Sequence, residues 1–127
     1  MVAFHHVNLG VPEDLLAEEA SFVLDVLGCR RVEPDPALQG VGSNWFEADD
    51  GAQIHLSVDP DHRPAERAHV AVAFGGDLSG VEQRLQARSI PYDSAQRPGF
   101  PWVLLCRDPA GNRWELRGDH GTTSKSA

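Results

Sequence analysis

The chain has 127 residues, of which 41% are apolar and 24% charged, so its size and composition predict one ordinary folded domain and exclude a disordered or fibrous protein. Nineteen acidic residues against eleven Lys and Arg give a net charge of -8, which repels a phosphate backbone and argues against nucleic acid as a partner. No apolar stretch approaches the roughly 20 residues that cross a bilayer, and no basic segment precedes an apolar one at the N-terminus. We therefore expect a cytoplasmic protein without a membrane partner, and we expect its two cysteines, Cys29 and Cys106, to be reduced, buried thiols.

The first half of the chain predicts a strand, a helix and three further strands. Gly10 and Pro12 end the first strand, and Gly28 ends a helix whose apolar residues recur at helical spacing. The sequence Asp49-Asp50-Gly51 is typical of a hairpin turn. The predicted elements are a strand at 4–11, a helix at 12–27, and strands at 29–33, 44–48 and 53–58.

The second half predicts the same order of elements. A segment with two prolines and five charged residues, 59–68, reads as a linker between the halves. A turn of Asp, Pro, Gly and Asn at 108–112 separates the last two strands. The predicted elements are strands at 69–74, 90–93, 102–106 and 113–117, with a helix at 77–89.

Equivalent polar residues recur at a nearly constant separation along the chain. His69 follows His6 by 63 positions and Glu115 follows His55 by 60, as expected of two copies of one unit. The sequence therefore predicts an α+β protein built from two tandem βαβββ modules. We expect one domain over 1–118, with module one at 4–58, the linker at 59–68, module two at 69–117 and a flexible tail at 119–127.

Strand alternation places His6, His55, His69 and Glu115 on sheet faces that point away from the helices, and sends His5 to the opposite face. Three imidazoles and a carboxylate, each in a different strand, are good ligands for a divalent transition metal. Each single histidine is also compatible with a satisfied polar residue on a half-exposed sheet. The repeat and the shared strand face favour a metal site over four unrelated polar residues.

Three stretches resemble the vicinal oxygen chelate superfamily, which includes glyoxalases, bleomycin-resistance proteins and extradiol dioxygenases. They are His6-Val7-Asn8-Leu9, the segment FVLDVLG at 22–28, and DPAGNRWEL at 108–116. The resemblance covers residues 4–117. It implies that the paired modules form an open, curled mixed sheet with helices on the outer face. It also implies a metal on residues that match His6, His55, His69 and Glu115.

One position departs from the glyoxalase I pattern. Those lyases typically carry a carboxylate where this chain has His55, which weakens isomerisation of the methylglyoxal–glutathione adduct as the specific reaction. Fosfomycin-resistance thiol transferases and extradiol dioxygenases instead use two His and one Glu at positions matching His6, His69 and Glu115. In that case His55 is a fourth ligand, a general base or a substrate contact.

The resemblance implies a metal-dependent enzyme acting on a small molecule. The ion, whether iron, nickel, cobalt, manganese or zinc, would polarise a substrate oxygen and stabilise an enolate or alkoxide, as in an isomerase, lyase, thiol transferase or dioxygenase. A metal-free protein that sequesters an antibiotic or other small molecule, like the bleomycin-resistance proteins, is the alternative, and a regulatory subunit with a blocked cleft is a second. The retained His and Glu set favours the enzyme.

Several further residues are candidates for binding the substrate. Arg113 and Arg117 flank Glu115 on one strand face and can hold an anionic group, and Asn8 lies beside His6 on the first strand. Phe46 and Trp102, together with Trp45 and Phe100, can line an apolar wall. An open sheet in so small a chain exposes its cleft, so we expect a homodimer that closes it.

Overall fold

The computed structural model describes residues 1–38, 44–76 and 78–118. Contacts divide the chain between Pro64 and Ala65 into two compact units. In the described residues each unit holds one main helical segment and one four-stranded mixed sheet, and the first unit also has a short 3₁₀ turn at Pro36–Leu38. This confirms the predicted α+β class and the tandem βαβββ modules. The division falls within the predicted linker, while the single-domain grouping stays a prediction. The predicted flexible tail at 119–127 lies outside the described residues.

In the sheet of the first unit, the first strand pairs in parallel with the fourth, and the third and fourth strands form an antiparallel pair in the middle. The strand order is β1-β4-β3-β2, with β1 parallel to β4 and the other neighbours antiparallel. The strands are β1 (His6–Val11), β2 (Arg30–Val32), β3 (Asn44–Glu47) and β4 (Gln53–Val58). The β4 bounds are those predicted from alternation.

The first helical segment was expected to be one helix and is built of three parts. A 3₁₀ turn (Glu13–Leu15) leads into α1 (Leu16–Ser21), which widens into a π-helical turn (Phe22–Val26). The amide of Leu27 donates to the carbonyl of Phe22 at 3.1 Å, five residues back, as a π turn requires. Gly28, at φ +78°, then ends the helix.

The second unit repeats this architecture with the order β5-β8-β7-β6. Its elements are β5 (His69–Ala73), α2 (Ser79–Ala87), β6 (Tyr92–Ala95), β7 (Val103–Arg107) and β8 (Arg113–Arg117). The helix was predicted to start at Asp77, which lies outside the described residues. In the described ranges no helix is long and apolar enough to cross a membrane.

The strand predicted at 90–93 begins two residues later in the structure. Ser89 adopts a left-handed conformation with φ 54°, and the amide of Ile90 donates to the carbonyl of Leu85 at 3.0 Å. Ile90 therefore closes the helix rather than opening the strand. Pro91 has no N–H to give to a sheet, so pairing starts at Tyr92.

One face of each sheet carries the buried apolar core. Directly paired residues of neighbouring strands share a face, so the register separates core residues from the polar candidates. The buried apolar residues of the first unit are Val11, Ala20, Phe22, Val23, Val26, Leu27, Phe46, Ile54 and Leu56; those of the second are Leu78, Val81, Leu85, Leu104, Cys106, Ala110, Trp114 and Leu116. The polar candidates lie on the opposite faces.

The turn at 108–112 fixes the start of β8. The carboxylate of Asp108 is buried and accepts hydrogen bonds from the amide of Asn112 and from the indole Nε1 of Trp114, both at 2.8 Å. Gly111 adopts φ +88°, a conformation that a side chain would strain. This motif therefore has a structural role: it holds the strand that carries Glu115.

Candidate functional site

In the first unit, His55 lies between two aromatic rings on the polar face of the sheet. Its imidazole stacks on that of His6, with ring centroids 4.1 Å apart and planes 16° apart. On the β3 side it stacks on the indole of Trp45, with centroids 4.0 Å apart and planes 2° apart. These rings leave His55 only 8% exposed although it faces away from the core.

A chain of polar contacts fixes which nitrogen of His55 carries the proton. His55 Nε2 lies 2.8 Å from Oε1 of Gln53, and the amide nitrogen of Gln53 donates to Glu47 at 3.4 Å. Glu47 is in turn paired with Arg30. Since the Gln53 oxygen can only accept, His55 Nε2 donates and its Nδ1 keeps the lone pair.

The stacked geometry does not suit His6 and His55 as joint ligands of one ion. The lone pair of an imidazole lies in the plane of the ring, and the planes of these two rings are nearly parallel. The pKa of His55 is lowered by burial and by the neighbouring His6 and His5, which favours its neutral form. His55 is thus a neutral imidazole held beside His6.

His5 lies next to His6 and not on the core side, so the alternation argument was wrong for this residue. Its Nδ1 is 2.9 Å from Nδ1 of His6, and the two rings meet edge to face at 5.1 Å. His5 is exposed and precedes the first paired residue of β1, so no sheet pairing fixes its direction. The His5-His6 doublet was the sequence signal for this contact.

In the second unit, Nε2 of His69 and Oε1 of Glu115 lie opposite each other. His69 Nδ1 donates to the backbone carbonyl of Arg67 at 3.0 Å, so in the neutral ring Nε2 carries the lone pair. This Nε2 lies 3.5 Å from Oε1 of Glu115, and Arg117 donates to the other carboxylate oxygen at 2.8 Å. A neutral imidazole nitrogen and a carboxylate oxygen are both ligands of divalent transition metals, so this pair is the candidate metal site of the second unit.

The polar candidates arise as one pair in each unit. Within the ranges 1–38, 44–76 and 78–118, no group of three or more His, Cys, Asp or Glu side chains forms a metal-binding cluster. The pairs are His6 with His55 and His69 with Glu115. In both pairs at least one imidazole has its proton placed by a hydrogen bond to a group that can only accept.

The predicted substrate residues make hydrogen bonds within the protein. Arg113 donates to the carbonyl of Glu66 at 3.2 Å, and Arg117 donates to Glu115. Asn8 accepts a hydrogen bond from Ser57 at 2.8 Å on the polar face. Their contacts with a substrate stay predictions.

The two aromatic candidates differ in position. Phe46 is fully buried and pairs with Ile54 on the core face, so its assignment to a substrate wall was wrong. Its neighbour Trp45 takes the polar face instead. Trp102 is half-buried and donates its indole Nε1 to the hydroxyl of Ser94 at 2.9 Å.

The second unit has an open cavity of about 450 Å³ that neither His69 nor Glu115 lines. Arg113 and Leu105, which line it, are the register partners of His69 and Glu115 respectively. Asp93 and Arg107 add charged groups of both signs to its wall. This volume lies within the range of small-molecule sites.

Neither cysteine is suited to act as a nucleophile. Burial and then Asp108 raise the pKa of the Cys106 thiol to about 12. Burial, followed by Asp49 and Asp50, raises that of Cys29 to about 11. Both thiols are free, as predicted, although Cys29 is only half-buried.

A scan against protein-family models found no match, and a search of curated proteins found no relative. Solved structures do match. A protein assigned to the glyoxalase family from Bacillus anthracis is 25% identical with a TM-score of 0.79, over 93% of this chain and 95% of that one. A glyoxalase/dioxygenase from Nostoc punctiforme is 19% identical with a TM-score of 0.78, over 92% and 90%.

A third similar structure is the fosfomycin resistance protein FosX from Listeria monocytogenes. It was determined with Mn(II) and 1S,2S-dihydroxypropylphosphonic acid, and is 15% identical with a TM-score of 0.75, over 98% of this chain and 93% of that one. The matches extend over nearly the whole chain and agree with the motifs at 6–9, 22–28 and 108–116. The fold of the chain is therefore the one seen in these glyoxalase and fosfomycin-resistance structures, and it is the fold of the vicinal oxygen chelate superfamily that those motifs resemble.

Proposed function

We propose that the chain is an enzyme that uses a divalent transition metal to act on a small molecule, with His69 and Glu115 as protein ligands and His6 as a further ligand on the strength of the sequence resemblance alone. The observation that carries this proposal is the second pair: Nε2 of His69 lies 3.5 Å from Oε1 of Glu115, and each residue is held by a further hydrogen bond. Two His and one Glu leave coordination positions for a substrate. FosX, whose structure contains Mn(II), supports the choice of a divalent metal.

The residues around the second pair prepare it for such an ion. The carbonyl of Arg67 keeps the proton of His69 on Nδ1, and Arg117 holds the far oxygen of Glu115. When bound, the ion supplies a Lewis acid that polarises a substrate oxygen and stabilises the enolate or alkoxide that forms. The protein supplies the orientation of both donors before the ion arrives.

We assign His55 a role outside the ligand set. Its ring is nearly parallel to that of His6, and its Nε2 proton is committed to Gln53, which leaves a neutral imidazole with a lone pair on Nδ1. Such a group orients His6 by stacking and can accept a proton from a substrate as a general base. A His55→Gln variant should therefore lose turnover, while its metal affinity falls by no more than the roughly 10–100-fold that loss of an orienting residue costs.

The cavity lined by Arg113 is the proposed place for the substrate. Arg113 lines it and Arg117 is bonded to Glu115, and we propose both arginines as partners of an anionic or oxygen-rich group. We propose Asn8 and Trp102 as further contacts. The reaction classes to be screened are isomerisation or lyase chemistry, thiol transfer and ring-cleaving oxygenation, in line with the glyoxalase, fosfomycin-resistance and dioxygenase neighbours.

The decisive experiment measures metal content and metal affinity. Protein purified without an affinity-tag metal should hold about one transition-metal ion per chain after incubation with Mn(II) or Fe(II) near pH 7.5. His69→Ala and Glu115→Ala should each weaken binding by roughly 100-fold or more, since outer-shell changes alone cost about 10–100-fold. His62→Ala and Glu13→Ala are matched controls of the same residue types outside the pairs, and should bind normally.

The alternative of a metal-free sequestration protein predicts a different outcome. The wild type would stay empty with every metal supplied, and the pair variants would bind small molecules as the wild type does. The identity of a bound metal would also sort the reaction classes, because iron favours the dioxygenase.

We further propose a cytoplasmic homodimer. Free thiols with raised pKa values suit a reducing compartment. Sedimentation of the purified protein tests the dimer. Mixing His6→Ala with Glu115→Ala subunits then tests shared sites: binding returns in part only if one site takes ligands from two chains.

A further inference from the structure

We propose that Arg107 is a positioning residue that sets the orientation and the tautomer of His69 through the backbone of residues 65–67. We call this segment the strap. The proposal rests on the proposed function in one respect, because it is the metal-binding nitrogen of His69 that Arg107 would prepare. The orientation of His69 by Arg107 does not itself require a bound metal.

The guanidinium of Arg107 ties the strap to the turn before β8. Its Nη1 donates to the carbonyls of Ala65 at 3.1 Å and Gly111 at 2.8 Å, and its Nη2 donates to the carbonyl of Glu66 at 3.2 Å. Arg113 donates to the same Glu66 carbonyl at 3.2 Å. Two successive carbonyls of the strap are thus held by side chains of β7 and β8.

The next carbonyl along the strap is the one that orients His69. Arg67 offers its backbone oxygen to His69 Nδ1 at 3.0 Å, and a carbonyl can only accept. The proton therefore sits on Nδ1, and Nε2 turns its lone pair towards Glu115. Holding the carbonyls of Ala65 and Glu66 restricts the peptide that carries the third, because only two dihedral angles separate neighbouring peptide planes.

Arginine is the residue type that this arrangement needs. A guanidinium has five donors in a planar fork, so one side chain can reach three carbonyls on two segments at once. The ammonium of a lysine has its three donors on one nitrogen, so it lacks the second nitrogen with which Arg107 also reaches the carbonyl of Glu66. Charge alone is therefore insufficient at position 107.

The test observes the His69 ring directly in metal-free, ¹⁵N-labelled protein. Long-range ¹H–¹⁵N correlation spectra show which ring nitrogen carries the proton. In the wild type we expect the Nδ1–H form of His69 at pH 8. In Arg107→Met and Arg107→Lys we expect both tautomers in exchange, with folded backbone spectra. Arg97→Met, at an exposed arginine of the 97–101 loop, is the matched control and should leave the His69 signals unchanged.

A second measurement follows the Mn(II) affinity of the same variants. Loss of a residue that orients a ligand costs about 10–100-fold in metal affinity, and we expect that range for both Arg107 variants and no change for Arg97→Met. If Arg107→Met does not fold, the lysine variant, which keeps the stem and the charge, carries the test.

The possible results separate this inference from the proposed function. A folded Arg107 variant whose His69 keeps the pure Nδ1–H form would overturn the inference, whatever the protein binds. If the tautomer of His69 shifts in the Arg107 variants but the wild type binds no metal, the role of Arg107 is supported and the proposed metal site is refuted. A shifted tautomer with weaker Mn(II) binding supports both.

Discussion

Trp45 and His55 lie face to face on β3 and β4, with ring centroids 4.0 Å apart and planes only 2° from parallel. The two residues are direct partners in the antiparallel register, so the sheet itself sets the stack. The indole covers one side of the imidazole and His6 covers the other. A titratable group is thereby kept from water on a face that has no apolar core.

This burial predicts a pH dependence of stability in chelator-treated protein. The pKa of His55 is lowered in the folded state by burial and by His6 and His5, while Glu47 and Arg30 lie behind Gln53 in the same chain of contacts. The unfolded chain therefore binds the proton more readily than the folded one. The free energy of unfolding should be fully retained above about pH 6.5 and fall as the pH drops below that value.

Urea unfolding at pH 7.5 and 5.5 measures this effect. His55→Phe keeps a stacking ring without a proton site, so it should show a smaller loss on acidification than the wild type. His62→Asn serves as the control and should lose as much stability as the wild type. An equal loss in His55→Phe and the wild type would contradict the prediction.

The two cysteines should react slowly with thiol reagents in the folded protein. With a pKa of about 11 for Cys29, roughly one thiol in a thousand is ionised at pH 8, and fewer for Cys106. Ellman's reagent should modify both at least roughly a hundredfold faster in denaturant. Since Asp49 and Asp50 add to the shift at Cys29, neutralising both as Asn should accelerate Cys29 and leave Cys106 unchanged. Fast labelling of the native protein would refute the assignment.

Asp108 should be among the most costly single positions to truncate. Asp108→Ala removes the carboxylate that accepts from both the amide of Asn112 and the indole of Trp114, so two hydrogen bonds to a buried acceptor are lost. We expect a loss of about 3 kcal/mol in the free energy of unfolding, and about half of that for Asp108→Asn, which keeps one acceptor oxygen. Asp93→Ala, at an exposed carboxylate, should change it by less than about 0.5 kcal/mol. A loss below about 1 kcal/mol in Asp108→Ala would show that water replaces the carboxylate.

Gly28 and Gly75 offer a matched test of backbone strain. A Cβ at either position would meet no atom within 4 Å, but only Gly28 has a left-handed φ, at +78°. Gly28→Ala should destabilise the protein by about 1 kcal/mol, whereas Gly75→Ala should be neutral or slightly stabilising. Thermal unfolding of the two variants compares them directly, and equal shifts would rule out strain as the cause.

Alternation with period two made the strand assignments predictable where turn residues bounded them. β4 and β8 begin and end at the predicted residues, because Asp50-Gly51 and the 108–112 turn leave no other register. The π turn was not predictable, because the buried positions Phe22, Val23 and Val26 also fit an α-helix. Pro91 was a readable signal that β6 starts late, but the strand-like Ile90 outweighed it.

The face of a residue was predictable only where its strand partner was known. Phe46 was placed on the wrong face because NWFE at 44–47 contains aromatic residues on both, and only the pairing with Ile54 decides between them. The sequence also could not show that Arg113 and Arg117 donate hydrogen bonds to other groups of the protein. Arg107 was missed entirely, since its role depends on three backbone carbonyls that carry no residue-type signature.

The hydrogen bonds that orient each polar pair begin and end within the unit that carries the pair. Gln53 serves His55 in the first unit, and Arg67 and Arg117 serve His69 and Glu115 in the second. The orienting residues differ in type and position between the two units, although the donors that they orient recur. A donor in one unit, such as His55 where the second unit has Glu115, can therefore change while the hydrogen bonds that orient the donors of the other unit stay the same.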